Sequence, residues 1–172
     1  MLIDLLRNRR SIRRYQEKPV EPAKIDLLVE AMLRSPSSRS LNPWEFVLVE
    51  DPVLLGDLAR AKAHGASFVK GAPLAMVICA DPGKCDVWVE DCSIATLLVH
   101  LAAADLGLGS CWIQLRERQH DSGKSSESYV KELLGLADHL AVLAMVAIGY
   151  PAEEKPGHPA DSLLWERVKR LP

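Results

Sequence analysis

The sequence lacks several features that would assign a partner or a location directly. Its formal net charge is −2 over 172 residues, and the absence of a positive surplus argues against a general nucleic-acid binder. The N-terminus is amphipathic and has no long apolar core of the kind that defines a signal peptide. No apolar run is long and uninterrupted enough for a confident membrane span. We therefore expect a cytoplasmic protein with neither nucleic-acid nor membrane partners.

The chain also lacks the short motifs that usually mark catalytic or metal sites. It contains no HExxH, no GxSxG, no P-loop and no GxGxxG after a strand. Its four cysteines, Cys79, Cys85, Cys92 and Cys111, show no CxxC pairing. We expect buried free thiols and neither a zinc site nor a disulfide framework. If the chain is an enzyme, its chemistry is expected to reside in a bound cofactor.

Nothing in the sequence divides the chain into separate units. A length of 172 residues suffices for one domain with its own core, and no repeat, low-complexity tract or linker appears. We expect a single domain over 1–172, in which 150–172 form a tail rich in proline and charge. The tail holds four apolar residues that need a surface to cover: Leu163, Leu164, Trp165 and Val168. That surface could belong to the same subunit, but we expect it to belong to a partner.

The longest apolar stretch predicts a helix over 92–106, ended by Gly107. A helix with so little polar surface is normally buried. One stripe at helical spacing contains Ile94, Leu97, Leu98 and Leu101. Alanines cover much of the rest and would let a second helix approach closely, which suggests a subunit interface. A core helix in a monomer is an equally weighted alternative.

The other expected elements follow from apolar periodicity and from helix start and stop signals. Helices are expected at 2–9, 22–33, 52–62 and 128–134. In the first of these, Ile3 and Leu6 should face inward. Strands are expected at 44–50, 74–80, 110–115 and 140–149. Two of the strands, 74–80 and 140–149, are apolar throughout and should be buried on both faces.

A basic segment, RRSIRRY over 9–15, is the clearest candidate for ligand binding. With Arg7, five arginines fall within eight residues of a slightly acidic protein. Arginine forks match phosphate oxygens in a bidentate manner, and Ser11 adds a hydroxyl donor. If the segment is extended, Arg9, Ser11 and Arg13 point the same way. The segment therefore predicts a compact anion site, with a solvated basic patch as the alternative.

A second candidate is the polar loop over 35–43, SPSSRSLNP. Two prolines make it rigid, and its four serines make it rich in hydrogen-bond donors. Loops of this kind often present hydroxyl and backbone N–H groups to a ligand. An ordinary connection between a helix and a strand is the alternative.

Taken together, four stretches resemble the nitroreductase family of flavin enzymes. They are RRSIRRY, then SPSSRSLNPWEF, then LGLGSCWIQL after the long helix, and AIGYP before a short tail. The resemblance implies an α+β, three-layer fold, in which a mostly antiparallel or mixed sheet is flanked by helices, and an intertwined homodimer. It also implies FMN at the subunit interface, reduced by NADH or NADPH.

The resemblance assigns residues to the flavin by position. The basic segment would hold the FMN phosphate and part of the polar edge of the flavin: Arg9, Arg10, Ser11 and Arg13. The flavin of the opposite subunit would be covered by the serine loop: Pro36, Ser37 and Ser38, with Ser40 and Asn42 where relatives often have asparagine and glutamine. The ring edge would be contacted by His64, Gln114 and Leu115, the last two with backbone N–H near the flavin N5. Relatives usually place a tail arginine or lysine on the phosphate, and here the nearest candidates are Lys155 and His158.

The function implied is hydride transfer from NAD(P)H through bound flavin to a small-molecule acceptor such as a nitroaromatic or a quinone. No side chain is expected to act as a catalytic nucleophile, and Cys111 should be an inert, packed thiol. The chain lacks the long helical insertion of larger members, so an open pocket is expected. Two alternatives are a flavin-storage protein with little turnover and a phosphate-ligand binding module without flavin.

Overall fold

The structure, a computed structural model, describes residues 1–171. The helices are α1 (Leu2–Asn8), α2 (Pro22–Leu33), α3 (Pro52–Leu58), α4 (Trp88–Asp105) and α5 (Ser126–Leu134). The strands are β1 (Trp44–Val49), β2 (Leu74–Ala80), β3 (Gly109–Gln114) and β4 (Ala141–Gly149). Short 3-10 helices occupy Ser38–Ser40, Ser67–Gly71, Ala160–Ser162 and Trp165–Arg167. Element types and order agree with the sequence-based expectations.

The four strands form one antiparallel sheet in the order β1-β2-β4-β3. The two strands predicted to be buried on both faces, β2 and β4, are the central pair, and every residue of β2 is buried. β3 is an edge strand that pairs with β4 along one side. The opposite edge of β3 is not paired with another strand of the sheet, and the basic segment lies beside its first residues.

Helices cover both faces of the sheet. α2 and α4 pack on one face, where Leu28 and Met32 of α2 are fully buried. α3, α5 and the 3-10 helix at Ser67–Gly71 pack on the other face, around Leu58 and Val130. The predicted α+β, three-layer arrangement is confirmed, with a purely antiparallel sheet.

The long helix α4 begins at Trp88, four residues before the predicted start at 92. Its buried positions recur at helical spacing and include Asp91, Cys92, Ala95, Thr96, Val99, His100 and Ala103. The suggestion that the alanines admit a helix of a second subunit is therefore wrong for Ala95 and Ala103, which are fully buried within the single chain. The stripe is the outward face instead: Ile94 is 40% exposed and Leu97 is 47% exposed.

Two other expectations differ from the structure. α3 ends at Leu58, not near 62, because the next N–H groups, of Arg60 and Ala61, donate to carbonyls three residues back, and Ala63 N–H donates to Gln119 O. In α1, Ile3 and Leu6 are exposed and do not face inward. α1 fully buries none of its residues, and Leu5 is its half-buried apolar position.

The predicted helix signals are confirmed where a specific residue type carries them. Asp51 caps α3 and accepts hydrogen bonds from the N–H groups of Val53 and Leu54, both at 2.9 Å. Gly107 and Gly135 follow α4 and α5 with φ of +73° and +62°, which is the left-handed conformation that glycine tolerates best. The four cysteines are free and buried, as predicted.

The tail divides into two parts. Its first part runs along the N-terminal segment of the same chain: Ala152 N–H donates to Arg14 O at 2.9 Å, and Arg10 Nη1 donates to Pro156 O at 2.5 Å. Beyond it, residues 158–171 are exposed, and Trp165 is 69% exposed. The expectation that the apolar tail residues pack on a partner subunit stays a prediction. None of the helices within residues 1–171 has the length and apolar character needed to cross a membrane.

Candidate cofactor site at the edge of the sheet

The basic segment is held against the start of β3. Ile12 N–H donates to Ser110 O at 3.0 Å, and Ser11 forms a parallel bridge with Ser110. Ile12 is buried and packs on Gly109, where any Cβ atom would come within 2.8 Å of the Ile12 side chain. A residue larger than glycine at 109 would therefore push the segment away from the strand. This packing fixes the backbone from which the neighbouring arginines project.

Four arginines of the segment have no acidic partner in the described part of the chain. Arg7 pairs with Asp4, but no salt bridge within residues 1–171 includes Arg9, Arg10, Arg13 or Arg14. Guanidinium groups that lack a carboxylate partner keep their charge available for a ligand anion. The cluster therefore fits a phosphate group.

The side chains of the segment do not all point the same way. Arg9 Nη1 lies 2.8 Å from His100 Nε2 on α4. The Arg13 guanidinium lies over the Phe68 ring, 5.7 Å from its centroid, and Phe68 belongs to the opposite helical layer. The expectation of a common direction is therefore wrong for Arg9 and Arg13, because the segment crosses the edge of the sheet between the two layers.

The tail places a lysine at this segment. Lys155 Nζ donates to Ser11 O at 3.1 Å and pairs with Glu153 Oε1 at 2.9 Å. The same Glu153 oxygen accepts the Arg13 backbone N–H at 2.6 Å. The hydrogen bonds that Glu153 accepts, chiefly from the Arg13 N–H and next from Lys155, hold its pKa below the usual value. Of the two tail candidates, Lys155 thus reaches the basic segment, whereas His158 is exposed farther along.

A cavity of about 860 Å³ adjoins the cluster. Its walls include three of the cationic residues, Arg9, Arg10 and Lys155, and two buried polar residues, His100 and Ser110. The rest of the wall comes from α1, the end of α4 and the first part of the tail. Four acidic residues, Asp4, Asp105, Glu153 and Glu154, also line it, so cationic, acidic and polar side chains converge at this cavity.

His100 connects α4 to this cavity. Its Nδ1 lies 2.5 Å from Ser110 Oγ, and its Nε2 lies 2.8 Å from Arg9 Nη1. Because a guanidinium can only donate, Nε2 accepts and Nδ1 carries the proton donated to Ser110. Burial, and next the positive charge of Arg9, lower the pKa of His100 to about 4. The ring is therefore neutral at physiological pH, as a buried and hydrogen-bonded histidine is expected to be.

The free edge of β3 presents backbone donors at one strand end. Along an antiparallel edge strand, successive N–H groups point alternately toward and away from the neighbouring strand. Leu115 N–H donates to Leu143 O at 3.1 Å, and its side chain is fully buried in the core. The expectation of a Leu115 donor near the flavin is therefore wrong in this geometry. By the same alternation, the N–H groups of Trp112 and Gln114 point away from β4, so Gln114 keeps the predicted position.

The edge is long enough for an extended ligand. Ser110 and Gln114 are four residues apart, which corresponds to about 14 Å along a strand. A phosphate at the Ser110 end and a flavin ring at the Gln114 end can therefore lie along the same edge. The Gln114 side chain is anchored there: its Oε1 accepts the Trp112 Nε1–H at 3.0 Å.

The serine loop has a fixed shape. Ser37 Oγ accepts the Asn42 N–H at 3.0 Å and donates to Asn42 Oδ1 at 2.6 Å. Ser38 N–H donates at 2.9 Å to Asp91 Oδ1, a carboxylate buried in the first turn of α4. Three residues that are not glycine adopt left-handed backbone conformations, namely Arg39, Ser40 and Asn42. Such conformations persist where surrounding contacts hold them, and they are common at ligand sites.

Within one chain the serine loop does not meet the basic segment. The loop is tied to Asp91, whereas Arg9 is tied to His100, nine residues farther along α4. At 1.5 Å of rise per residue, these two points are about 14 Å apart along the helix. Pro36 and Ser40 are exposed, so one face of the loop remains available to another molecule.

His64 lies in a different cavity, of about 660 Å³. Its walls also include Lys62, Ser67 and a stacked pair, His120 and Tyr129, whose ring centroids are 4.1 Å apart. Burial, and next the charge of Arg118, lower the pKa of Lys62. The structure therefore does not bring His64 together with the arginines in the larger cavity.

The sequence analysis placed none of these polar residues in the site: Asp91, His100, Ser110 and Glu153. Asp91 and His100 share a periodic signal, because both fall on the buried face of α4 with Ala95 and Val99. A polar residue in that series is expected to have a polar partner. No comparable signal marks Glu153 or Ser110, whose contacts depend on the path of the tail and on strand register.

Comparisons with known proteins identify the family. A family model described as the nitroreductase family matches residues 6–73 and 55–150. An FMN-dependent nitroreductase structure from Clostridium difficile is 42% identical, with a TM-score of 0.96 and 98% of each chain covered. A candidate NADH dehydrogenase/NAD(P)H nitroreductase from Archaeoglobus fulgidus is 34% identical over 92% of this chain and 90% of its own length. A candidate nitroreductase from Desulfovibrio desulfuricans, solved in complex with FMN, is 26% identical with a TM-score of 0.79, over 99% of this chain and 96% of its own.

Fold and relatives together define the class of this protein, an NAD(P)H-dependent oxidoreductase with an α+β fold. Its family model and its similarity to these relatives are specific enough to go one step further. The chain belongs to the nitroreductase family. The predictions of family, fold class and enzyme class are thereby confirmed.

Proposed function

We propose that this protein transfers hydride from NAD(P)H through bound FMN to a small-molecule acceptor such as a nitroaromatic or a quinone. The observation that carries the proposal is the edge of β3. Arginines that form no salt bridge within residues 1–171 lie at its start, and the Gln114 N–H points outward near its end. FMN has a phosphate at one end and a ring with hydrogen-bond acceptors at the other, so both features match it.

The basic segment holds the phosphate in this proposal. Arg9, Arg10 and Ser11 supply donors and positive charge, and Lys155 adds a further group from the tail. Arg13, whose guanidinium lies over Phe68, is assigned to the polar edge of the flavin. No hydrogen bond or salt bridge within residues 1–171 joins His158 or His64 to this segment, and both stay predictions from the sequence. When bound, the flavin supplies the hydride-accepting and hydride-donating atom N5. The protein supplies positioning and electrostatic stabilisation.

No side chain of the site acts as a nucleophile in this proposal. Cys111 is the nearest thiol to the basic segment, and burial raises its pKa, with Arg13 opposing that effect. Because the thiolate is the reactive form, a raised pKa keeps the group inert. The backbone N–H of Gln114 is the donor toward the ring edge.

We further propose that the protein is a homodimer and that each flavin site uses two chains. The stripe on α4 and the tail leave large apolar side chains uncovered: Ile94, Leu97, Leu163, Leu164, Trp165 and Val168. Contiguous exposed apolar surface commonly marks a protein–protein interface. In this arrangement the serine loop, including Pro36, Ser37 and Ser38, covers the flavin of the partner subunit.

The visible spectrum of the purified protein tests the proposal. We expect oxidised-flavin absorption bands that bleach anaerobically on addition of NADH or NADPH and return on addition of a quinone or a nitroaromatic. A yellow protein that neither nucleotide bleaches would favour a storage role. A colourless protein that takes up no added FMN would favour a phosphate-ligand module and would contradict the proposal.

A further inference from the structure

We propose that His100, fixed by Ser110, is a positioning residue that holds the Arg9 guanidinium ready for the phosphate of FMN. This inference rests on the proposed function, because it assumes that Arg9 contacts that phosphate. The geometry that points to it is a chain of two hydrogen bonds, from His100 Nδ1 to Ser110 Oγ at 2.5 Å and from Arg9 Nη1 to His100 Nε2 at 2.8 Å.

The imidazole holds Arg9 without neutralising it. A carboxylate in the same place would also accept from the guanidinium, but it would compete with the phosphate for its charge. The neutral ring accepts a single N–H, and a guanidinium has five. The other donors of Arg9 are therefore available to the cavity of which Arg9 and His100 both form part of the wall.

Asp4, the acidic residue closest to Arg9 in the sequence, pairs with other cationic groups. Asp4 also lines the cavity, but its two carboxylate oxygens pair with the N-terminal amine at 3.3 Å and with Arg7 at 3.2 Å. Arg9 thus forms no salt bridge within the described residues and keeps its full charge. His100 is its side-chain hydrogen-bond partner in the structure.

Ser110 connects this arrangement to the backbone. Its hydroxyl accepts the Nδ1–H of His100, and its carbonyl accepts the Ile12 N–H at 3.0 Å. The residue that orients the ring therefore also anchors the basic segment to β3. An arginine side chain held beforehand loses less rotamer freedom on binding, so its contact adds more to affinity.

The test compares the affinities of FMN and riboflavin, which lacks the phosphate, for the full-length protein freed of flavin and titrated by quenching of flavin fluorescence. His100→Leu should weaken FMN binding by about tenfold, because the hydrogen bond from Arg9 to the phosphate would no longer be held in position. It should leave riboflavin binding unchanged. His100→Gln should restore most of the FMN affinity, because its side-chain oxygen can accept from Arg9. The exposed His139 gives a matched control, His139→Leu, with no expected effect.

A double-mutant cycle decides whether the effect passes through Arg9. In an Arg9→Ala background, His100→Leu should change FMN affinity by less than about twofold. An equal loss in both backgrounds, or an equal loss for riboflavin, would overturn the inference and indicate a packing effect. If His100→Leu does not fold, Ser110→Ala in the same two backgrounds serves instead. If the wild-type protein binds FMN and neither His100→Leu nor Ser110→Ala changes its affinity, only this inference is refuted. If the wild-type protein binds no FMN, the proposed function is refuted as well.

Discussion

Shortening Leu97 to alanine should weaken the proposed homodimer by an amount that its exposure sets. Full burial of a leucine side chain stabilises by about 1.5–3 kcal/mol. Leu97 is 47% exposed in the single chain, so roughly half of that, about 1 kcal/mol, remains to be gained at an interface. A two-fold interface contains the residue twice. The expected loss is therefore about 2 kcal/mol per dimer, or roughly 30-fold in the dimer dissociation constant.

Sedimentation velocity over a dilution series measures this constant directly. Val53→Ala is a matched control, because Val53 is 72% exposed but lies on α3, in the opposite helical layer. The series is repeated with saturating FMN, since a ligand that binds the dimer better shifts the equilibrium toward it. A wild-type chain that stays monomeric at all concentrations, with and without FMN, would refute the homodimer. A dimer equally sensitive to both substitutions would refute the role of the α4 stripe.

Four further expectations follow from the same geometry. Arg13→Ala should weaken FMN binding by roughly tenfold to a hundredfold, and Arg14→Ala, with the same change of charge, should do much less; equal losses in titration would point to net charge alone. Cys111→Ala should retain most NAD(P)H-dependent reduction, and complete inactivation with FMN still bound would contradict the inert thiol. Truncation after Pro156 should weaken the dimer and release FMN together; a sedimenting monomer at full flavin absorbance would show that the site is not shared. Because the folded-state pKa of His100, about 4, is below its unfolded value, its contribution is complete above pH 6.5 and is lost as pH falls toward 4. The free energy of unfolding should therefore fall by roughly 2 kcal/mol between pH 7 and pH 5 through His100 alone. Urea titrations of His100→Gln at the two pH values should lack this decrease.

Much of the fold could be predicted because individual residues fix it locally. β2 and β4 are apolar at nearly every position, and only the centre of the sheet buries both faces of a strand. Proline at the start of α2 and Asp51 before α3 mark helix beginnings by known backbone chemistry. Such signals need no knowledge of the neighbouring elements.

The orientation of α4 could not be predicted in the same way. A helix that is apolar nearly all round shows no contrast between its faces, so periodicity does not identify the inward one. The inward face is set by side chains such as Cys92, Val99 and Ala103, which pack in one core cluster with residues of the sheet and of α2. The larger side chains of Ile94 and Leu97 are left outward.

The site was predictable in composition but not in direction. The excess of arginine over 7–14 indicated an anion site without any structural information. Whether Gln114 or Leu115 offers a free N–H depends on the parity of the β3–β4 ladder, which a single-residue change of register would reverse. The contact between Lys155 and Ser11 O depends on the path of the tail, and no local pattern fixes it.

The spacing along α4 also bears on how a shared site would be assembled. The serine loop is tied to the N-terminal end of the helix through Asp91, and Arg9 is tied to its C-terminal half through His100. Leu97, on the exposed stripe, lies between these two points. If two copies of α4 pack across a two-fold axis that passes near Leu97 and is perpendicular to the helices, the helices run antiparallel, and the Asp91 end of one lies beside the His100 end of the other. Within one chain the serine loop and the basic segment are about 14 Å apart along α4. In the antiparallel pair, this same separation places the loop of each subunit beside the basic segment of its partner.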